Sequence, residues 1–400
     1  MENTSHTYAP DKIFPAPKLC PTAATLFFLP AAYALLFLTA VPGNVLSLWV
    51  FMRRISSVSP THVYLSHLSI SNLLLSLTAP FLAAYYALGS EWMRNGTLCQ
   101  LVLHGITPVL HINIYISLMI LTWVALSRFA ALIQHTHASR PSTCTTLLPH
   151  AFFARLTKTP FASRVCIVVW LVAVVGIVPV TVYYSVHEVM SATDATSVQD
   201  GGEKGGNEEL CYNPKVEIGG STSAALSEAV ITIFFVFYLL VLLSYITVLR
   251  HIRRSRRSTA VTTSQSLLGR VFRNIVVIQL VLSVCLLPYH IFKPIFISVA
   301  HKKHQPSLPE HNNQCHPLSS FVEVKNCLYL LAALRGSTDP VMYFLLDNTF
   351  RKQIRKLLGH EQDKSKERPV FWSVTGSATQ KSGQLVDINV GNANSCHESV

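Results

Sequence analysis

Seven apolar stretches dominate the sequence, and each is long enough to cross a lipid bilayer as a helix. A spanning helix needs about 20 mostly apolar residues, and it must satisfy its own backbone hydrogen bonds in hydrocarbon. The stretches are approximately residues 25–52, 63–88, 101–132, 165–186, 224–250, 271–299 and 319–346. Only 13% of the residues are charged, whereas about 25% is typical of soluble proteins. The sequence therefore predicts an all-α membrane protein, a seven-helix bundle, rather than one large soluble α-helical protein.

Basic residues follow the first, fifth and seventh stretches and predict the orientation of the chain. By the positive-inside rule these ends face the cytoplasm, which places the N-terminus outside. The acidic segment between stretches four and five then lies outside, as do two glycosylation sequons, at Asn3 and Asn95. The net charge of +12 is interpreted as membrane-face charge rather than as a nucleic-acid-binding surface.

The composition divides the chain into four parts. Residues 1–24 are predicted to be an extracellular tail and residues 25–346 the membrane bundle. Residues 347–358 form an amphipathic stretch, with Phe350, Ile354, Leu357 and Leu358 on one face, that is typical of a helix lying on the inner leaflet. Residues 359–400 are polar and rich in Ser and Thr, which predicts a disordered cytoplasmic tail.

The seventh stretch carries a charge pair where charge is costly. Arg335 and Asp339 are four residues apart, on adjacent turns of one helix face, where their side chains can pair. A charge near the bilayer centre costs at least about 2.5–3.5 kcal/mol, so such residues are expected to have a pairing or functional role. Pro340 removes one backbone hydrogen bond from the same helix. Snorkelling of Arg335 to lipid headgroups is the alternative, and the central position of the residue disfavours it.

Four of the nine cysteines fall on predicted outer segments, where disulfides persist. These are Cys20, Cys99, Cys211 and Cys315. Four cysteines allow three pairings, and their order along the chain does not choose among them. We see no metal-spacing motif and no Walker or Rossmann glycine pattern. No cofactor is predicted.

Short motifs in chain order resemble those of the rhodopsin-like G-protein-coupled receptors over residues 30–358. Each motif is weak alone, but their order on seven predicted spans is specific. They are Gly43-Asn44, Leu126-Ser127-Arg128-Phe129, Trp170, Cys285-Leu286-Leu287-Pro288 and Asp339-Pro340-Val341-Met342-Tyr343, the last in place of the family's NPxxY sequence. Pro288-Tyr289-His290 with Lys293, together with the DPxxY form, is similar to the purinoceptor-like branch.

The resemblance implies a structure and roles for particular residues. Cys99 would pair with Cys211, and Cys20 with Cys315, which would hold the outer mouth in shape. Asn44, Asn72, Arg335 and Asp339 would form the polar centre of the bundle. Asn72 stands where the family has an aspartate that binds sodium. The cation in the middle of the bundle would then be the side chain of Arg335, and sodium would have little allosteric effect on the receptor. Arg128, Tyr245, Tyr343 and Pro340 would form the inner relay to the G protein.

Departures from the family pattern carry expectations of their own. Cys99 and Arg128 are 29 positions apart, where the family usually has 25, so an extra turn or bulge is expected at the outer end of helix three. Ser127 stands where the family has an acid, and Leu268 is also uncharged, which predicts raised basal signalling. Leu286 replaces the tryptophan of the helix-six motif, so the activation relay would differ in detail.

The resemblance also implies a ligand pocket in the outer half of the bundle. Lysine binds phosphate or carboxylate as a point charge, which indicates a small anionic ligand. In the alternative, Lys293 and Lys325 are rim residues in water that pair with Glu323 or with the acidic loop. The residues expected to converge there are His111, Tyr115, His290, Lys293 and Lys325.

Taken together, the sequence predicts a multi-pass plasma-membrane receptor that couples an outer ligand to heterotrimeric G proteins. Receptor kinases and arrestin are further expected partners, acting on Ser and Thr residues of the tail and second inner loop. A non-signalling scavenger receptor would share the fold and stays open as an alternative. A transporter or a light-driven pump is disfavoured, since no internal repeat or central retinal lysine is visible. An enzyme is disfavoured because no nucleophile–base–acid set is visible.

Overall fold

A computed structural model describes residues 18–56, 58–139, 154–179, 182–183, 210–256, 262–302 and 315–359. Several predictions lie outside these residues: the sequon at Asn3, the acidic outer loop, most of the second inner loop, and the tail from residue 360 onward. The sequon at Asn95 is described and its side chain is exposed.

The described residues include seven long helices, a short helix that follows the seventh, Asn348–Leu357, and a short loop helix that precedes the fifth, Pro214–Ile218. Several of the long helices contain π-helical segments, in which one extra residue widens the turn. The helices are α1 (Ala24–Phe28, Leu29–Trp49 and Val50–Arg54), α2 (Pro60–Leu88), α3 (Thr97–Gln100, Leu101–Ile106 and Thr107–Ser139), α4 (Thr159–Leu171 and Val172–Ile177), α5 (Ser221–Arg256), α6 (Thr262–Val281, Leu282–Leu286 and Leu287–Lys302), α7 (Ser319–Leu346) and α8 (Asn348–Leu357). The outer end of α3 thus has a bulge, as expected from the long spacing between Cys99 and Arg128.

The helices pack around a largely apolar core that also encloses a set of buried polar groups, and they expose further apolar side chains on the outside of the bundle. α2 packs against α1, α3 and α4, and α7 packs against α1, α2 and α6. Leu38, Val175 and Leu243 are more than half exposed on the outer surface, which in water would be a liability and in a bilayer faces lipid. Five of the described helices are long and apolar enough to cross a membrane: α1, α2, α3, α5 and α6. In α4 the described apolar helix is shorter, Thr159–Val175. α7 carries Glu323, Lys325, Arg335 and Asp339.

The outer ends of the helices are joined by the two disulfides that the resemblance implied, and both pairings are confirmed. Cys20 bonds to Cys315 and Cys99 bonds to Cys211. Isolated bridges support each of them, one between Lys18 and Cys315 and the other between Met93 and Leu210. The Cys211 N–H also donates to the Trp92 carbonyl at 2.8 Å. The described end of the N-terminal tail, at Lys18 and Cys20, and the segment before α5 are therefore fixed to the mouth of the bundle.

Candidate functional site

The centre of the bundle holds the Arg335–Asp339 ion pair. Arg335 Nη1 lies 2.8 Å from Asp339 Oδ2, within α7, and both side chains are fully buried. Two charges removed from water are stabilised only when good geometry and further hydrogen bonds offset the loss of hydration. Asn72 on α2 supplies such bonds to both partners: its Oδ1 accepts from Arg335 Nη2 at 3.2 Å, and its Nδ2 donates to Asp339 Oδ2 at 2.8 Å.

The same network joins three helices. Asn72 Nδ2 also lies 3.2 Å from Asn44 Oδ1 on α1 and 3.3 Å from the Tyr343 hydroxyl. Asn44 Nδ2 donates to the Gly336 carbonyl on α7 at 2.8 Å. A Cβ atom at Gly43 would come within 3.0 Å of Pro340 Cγ, so the small glycine permits this close approach of α1 and α7. The guanidinium of Arg335 therefore forms part of a bridge between α1, α2 and α7.

This arrangement leaves sodium without an obvious role. The ion pair already brings one cation, Arg335, and one anion, Asp339, to the centre of the bundle. Among the described residues, Arg335 Nε and Asp339 Oδ1 have no hydrogen-bond partner. A second cation would meet the guanidinium at close range and low dielectric, where like charges repel strongly.

We expect the unfolding temperature of the purified receptor to be the same in sodium chloride and in choline chloride at equal ionic strength. Thermal unfolding over a range of salt concentrations checks this, because a ligand that binds only the folded state raises that temperature. A sodium-specific rise in the unfolding temperature, absent with choline, would contradict an arginine as the cation of the bundle.

In the outer half of the bundle, Lys325 is held by an acidic residue from the segment before α5. Its Nζ lies 2.8 Å from Glu217 Oε2 and 2.6 Å from the Glu217 carbonyl oxygen. The sequence had offered Glu323 or the acidic loop as partners; instead, Glu323 accepts from the Thr22 N–H at 2.6 Å and from Thr25 Oγ1 at 2.9 Å. Glu323 thus ties the N-terminal tail to α7.

Lys293 on α6 is in a different situation. It is half-buried, and its Nζ lies 5.7 Å from the centre of the Phe296 ring. Lys325 approaches the same ring to 5.4 Å. No carboxylate lies within ion-pair distance of Lys293 in the part of the chain that the structure describes. Of the two lysines, Lys293 is therefore the one whose charge is available to a ligand.

The remaining predicted pocket residues form a neutral layer of hydrogen-bonded rings. The Tyr115 hydroxyl lies 3.0 Å from His290 Nε2, which joins α3 to α6. His111 on α3 stacks on Tyr329 of α7 with ring centres 4.4 Å apart, and its Nδ1 lies 2.7 Å from the Tyr329 hydroxyl. Three helices thus meet at this layer, which the sequence predicted for His111, Tyr115 and His290 and did not predict for Tyr329.

At the inner end the structure outlines an open cleft of about 370 Å³. Arg54, His62, Arg128 and Asp347 contribute to its lining. It lies between the inner ends of α1, α2, α3 and α7 and the start of α8. This is the end of the bundle that the basic residues assign to the cytoplasm.

A histidine–aspartate pair, which the sequence did not reveal, borders this cleft. His62 Nε2 lies 3.0 Å from Asp347 Oδ2, and Asp347 Oδ1 accepts from the Phe350 N–H at 2.8 Å, capping α8. The Ser59 N–H donates to His62 Nδ1, so Nε2 carries the proton. Burial alone would raise the pKa of the Asp347 carboxyl, but hydrogen bonds from His62 and the Phe350 amide outweigh it and hold the pKa below its usual value.

The other residues assigned to the inner relay lie around this region. Tyr343 is fully buried and packs edge-on against Phe51 and Phe350 at 5.7 and 6.1 Å. Tyr245 on α5 stacks against Phe272 on α6 at 5.7 Å. Arg128 is half-buried at the cleft. In this conformation Tyr343 therefore contacts α1 and α8, and Tyr245 contacts α6.

The fold and these sites define the class of protein. Residues 43–343 match the model of the 7 transmembrane receptor (rhodopsin family), which is a family of G-protein-coupled receptors and not of enzymes. The chain belongs to this family, and its seven long helices are the transmembrane bundle.

Similar curated proteins place the chain in the purinoceptor-like branch. It is 36% identical to human "Probable G-protein coupled receptor 82", over 84% of this chain and 94% of the relative. The mouse protein of that name is 34% identical over 84% of this chain and 96% of its own length. A rat protein named as a purinoceptor is 25% identical over 82% of this chain and 78% of its own length.

Proposed function

We propose that this receptor responds to a small anionic ligand outside the plasma membrane and activates a heterotrimeric G protein inside. The observation that carries the proposal is the inner cleft, which places Arg128 beside the His62–Asp347 pair and the start of α8. A cleft bordered by arginines can receive the end of a partner helix, because cations interact favourably with the carbonyls there. The available charge of Lys293 supports an anionic ligand, and one relative is by name a purinoceptor.

The hydrogen-bond network of Arg335 lies between the outer ligand pocket and the inner cleft, and it would couple a movement at one to a movement at the other. Tyr343 lies one turn after Asp339 on α7, and Asn72 Nδ2 contacts both of them. Asp347, which caps α8, follows on the next turn. A movement of α7 at the ligand end would therefore change the geometry of the cleft. Receptor kinases and arrestin are proposed as later partners of the activated state.

A scavenger receptor that binds ligand without signalling is the second candidate. The observation that favours it is the neutral Ser127, which is buried next to Arg128, together with Leu286 in place of a tryptophan. Ligand uptake without G-protein activation would identify this function. A signalling receptor would instead show G-protein activation that depends on Arg128.

We expect Ser127→Asp to lower basal G-protein activation. The new carboxylate would stand next to Arg128 in the chain and stabilise the resting conformation. Ser127 is buried and Arg128 half-buried, and a hydrogen bond between charged groups contributes about 1.5–3 kcal/mol, which corresponds to about tenfold or more in a two-state population. Nucleotide exchange on purified G proteins, at equal receptor density, measures the effect. Ser127→Asn is the matched neutral control, and basal activation as high in Ser127→Asp as in Ser127→Asn would count against the signalling proposal.

A further inference from the structure

Glu217 is a buried carboxylate at the outer mouth with three side-chain donors. Its Oε1 accepts from the Tyr85 hydroxyl at 2.6 Å, and its Oε2 accepts from Lys325 Nζ at 2.8 Å and Asn326 Nδ2 at 3.1 Å. The residue is 8% exposed. Both oxygens are thus used, and the charge of Lys325 is balanced by the receptor itself.

The backbone fixes this carboxylate in place. Glu217 lies on the short helix Pro214–Ile218, which Asn213 caps by accepting from the Val216 N–H at 3.0 Å. Just before it, the Tyr212 N–H donates to the Gly89 carbonyl at 2.9 Å, and Cys211 is bonded to Cys99. After it, Gly219 has φ of 75°, a left-handed conformation that glycine adopts without strain. The loop helix is therefore tied to the outer ends of α2 and α3 just before Glu217, and just after it the chain turns directly into α5.

The two lysines share one aromatic ring but differ in charge balance. Phe296 lies 5.7 Å from Lys293 Nζ and 5.4 Å from Lys325 Nζ. Without Glu217, these two ammonium groups would form a doubly charged site, suited to a ligand with several phosphates. With Glu217, the three groups carry a net charge of one. Among these three groups, the cation left for a ligand is Lys293.

We propose that Glu217 acts as a built-in anion that restricts the outer site to ligands with a single anionic group, bound at Lys293. This inference rests on the proposed function and names the ligand class for the same site. A polyphosphate would have to displace Glu217 from three donors or leave its further charges beside a carboxylate, and both cost free energy.

The rest of the ligand is expected to be aromatic or apolar. One turn further into the bundle from Lys293 and Lys325 lie the rings of Tyr289 and Tyr329, 5.3 Å apart. Phe292, the residue before Lys293, stacks on Phe321 of α7 with ring centres 6.2 Å apart. These groups are neutral, so they favour a flat or apolar body over a second charge.

Three small probes test the ligand class on the purified full-length receptor in nanodiscs of neutral phosphatidylcholine. Indole-3-propionate has an aromatic body and one carboxylate, indole-3-propionamide is its neutral counterpart, and ATP carries several charges. The shift of the unfolding temperature with probe concentration gives each Kd. We expect indole-3-propionate to bind at least about tenfold more tightly than either other probe, which corresponds to about 1.4 kcal/mol.

Variants assign the effect to particular charges. Lys293→Met is expected to weaken indole-3-propionate binding about tenfold or more, whereas Lys215→Met, at an exposed position on the loop helix, is the matched control. Glu217→Gln keeps the size of the side chain and one acceptor oxygen but removes the charge that balances Lys325, so ATP should bind about tenfold more tightly. The double variant Glu217→Gln/Lys325→Gln has no second cation and should not gain ATP binding.

The proposal is overturned if the wild-type receptor fails to bind indole-3-propionate or binds ATP more tightly. It is also overturned if Glu217→Gln leaves the affinity for ATP unchanged, or if Lys293→Met leaves the affinity for indole-3-propionate unchanged. The wild-type comparison needs no variant, so it decides the matter even if a variant does not fold. Basal G-protein activation needs no ligand, so the failure of this proposal is distinguishable from failure of the proposed function.

Discussion

Replacing Arg335 with alanine is expected to remove most of the folded receptor from the cell surface. The substitution leaves the Asp339 carboxylate fully buried without its ion-pair partner, 2.8 Å away in the wild type. Removing one member of a buried pair costs about 3–5 kcal/mol, a large share of the roughly 5–15 kcal/mol by which folded proteins are stable. Asn72 would also lose its contact with the guanidinium, so the bridge between α2 and α7 would weaken.

Surface immunostaining and thermal unfolding of the purified receptor measure this effect. Arg355→Ala, at an exposed position on α8, is the control for the loss of an arginine. The double variant Arg335→Met/Asp339→Asn removes both charges at similar volume and should regain much of the lost expression, because no unpaired charge remains. Wild-type expression and unfolding temperature in Arg335→Ala would show that the pair does not hold the bundle together.

Replacing Arg128 with alanine is expected to abolish G-protein activation while leaving the receptor folded. Arg128 is half-buried at the inner cleft, and Asp347, whose carboxyl it helps to keep ionised, lies on the same cleft. Its removal enlarges an open cleft rather than a closed core, so the cost in stability is expected to be small. The loss of a cation at the site where a partner helix would end is expected to lower activation at least about tenfold.

The helices could be predicted from the sequence because each depends on a local pattern. The apolar run at residues 319–346 predicted α7 with the same ends that the structure has, Ser319–Leu346. The Arg335–Asp339 pair was visible because four residues separate its members within one helix. α3 begins and ends outside its predicted run of residues 101–132, since its last turns are polar and hydropathy alone does not include them.

The partners of Lys325 and His62 could not be predicted, because they come from distant parts of the chain. Glu217 is 108 residues from Lys325, and Asp347 is 285 residues from His62. Charge and hydropathy show which residues need a partner without showing which residue supplies it. The nearby Glu323 was a candidate for Lys325, but it is two residues away and is used by Thr22 and Thr25 instead. The disulfide pairing was likewise open to sequence reasoning until the family resemblance chose it.

Basal G-protein activation is the most direct test of the claim that this receptor signals through the inner cleft. It is measured across all classes of Gα subunit, in cells expressing the wild type, Arg128→Ala, or the control Arg164→Ala, which changes an exposed arginine on α4. All three must be present at equal surface density. We predict that one or more Gα classes are activated by the wild type and by Arg164→Ala, and that this activation is lost in Arg128→Ala. Activation that is equal in the wild type and in Arg128→Ala, or absent from both, would contradict the account.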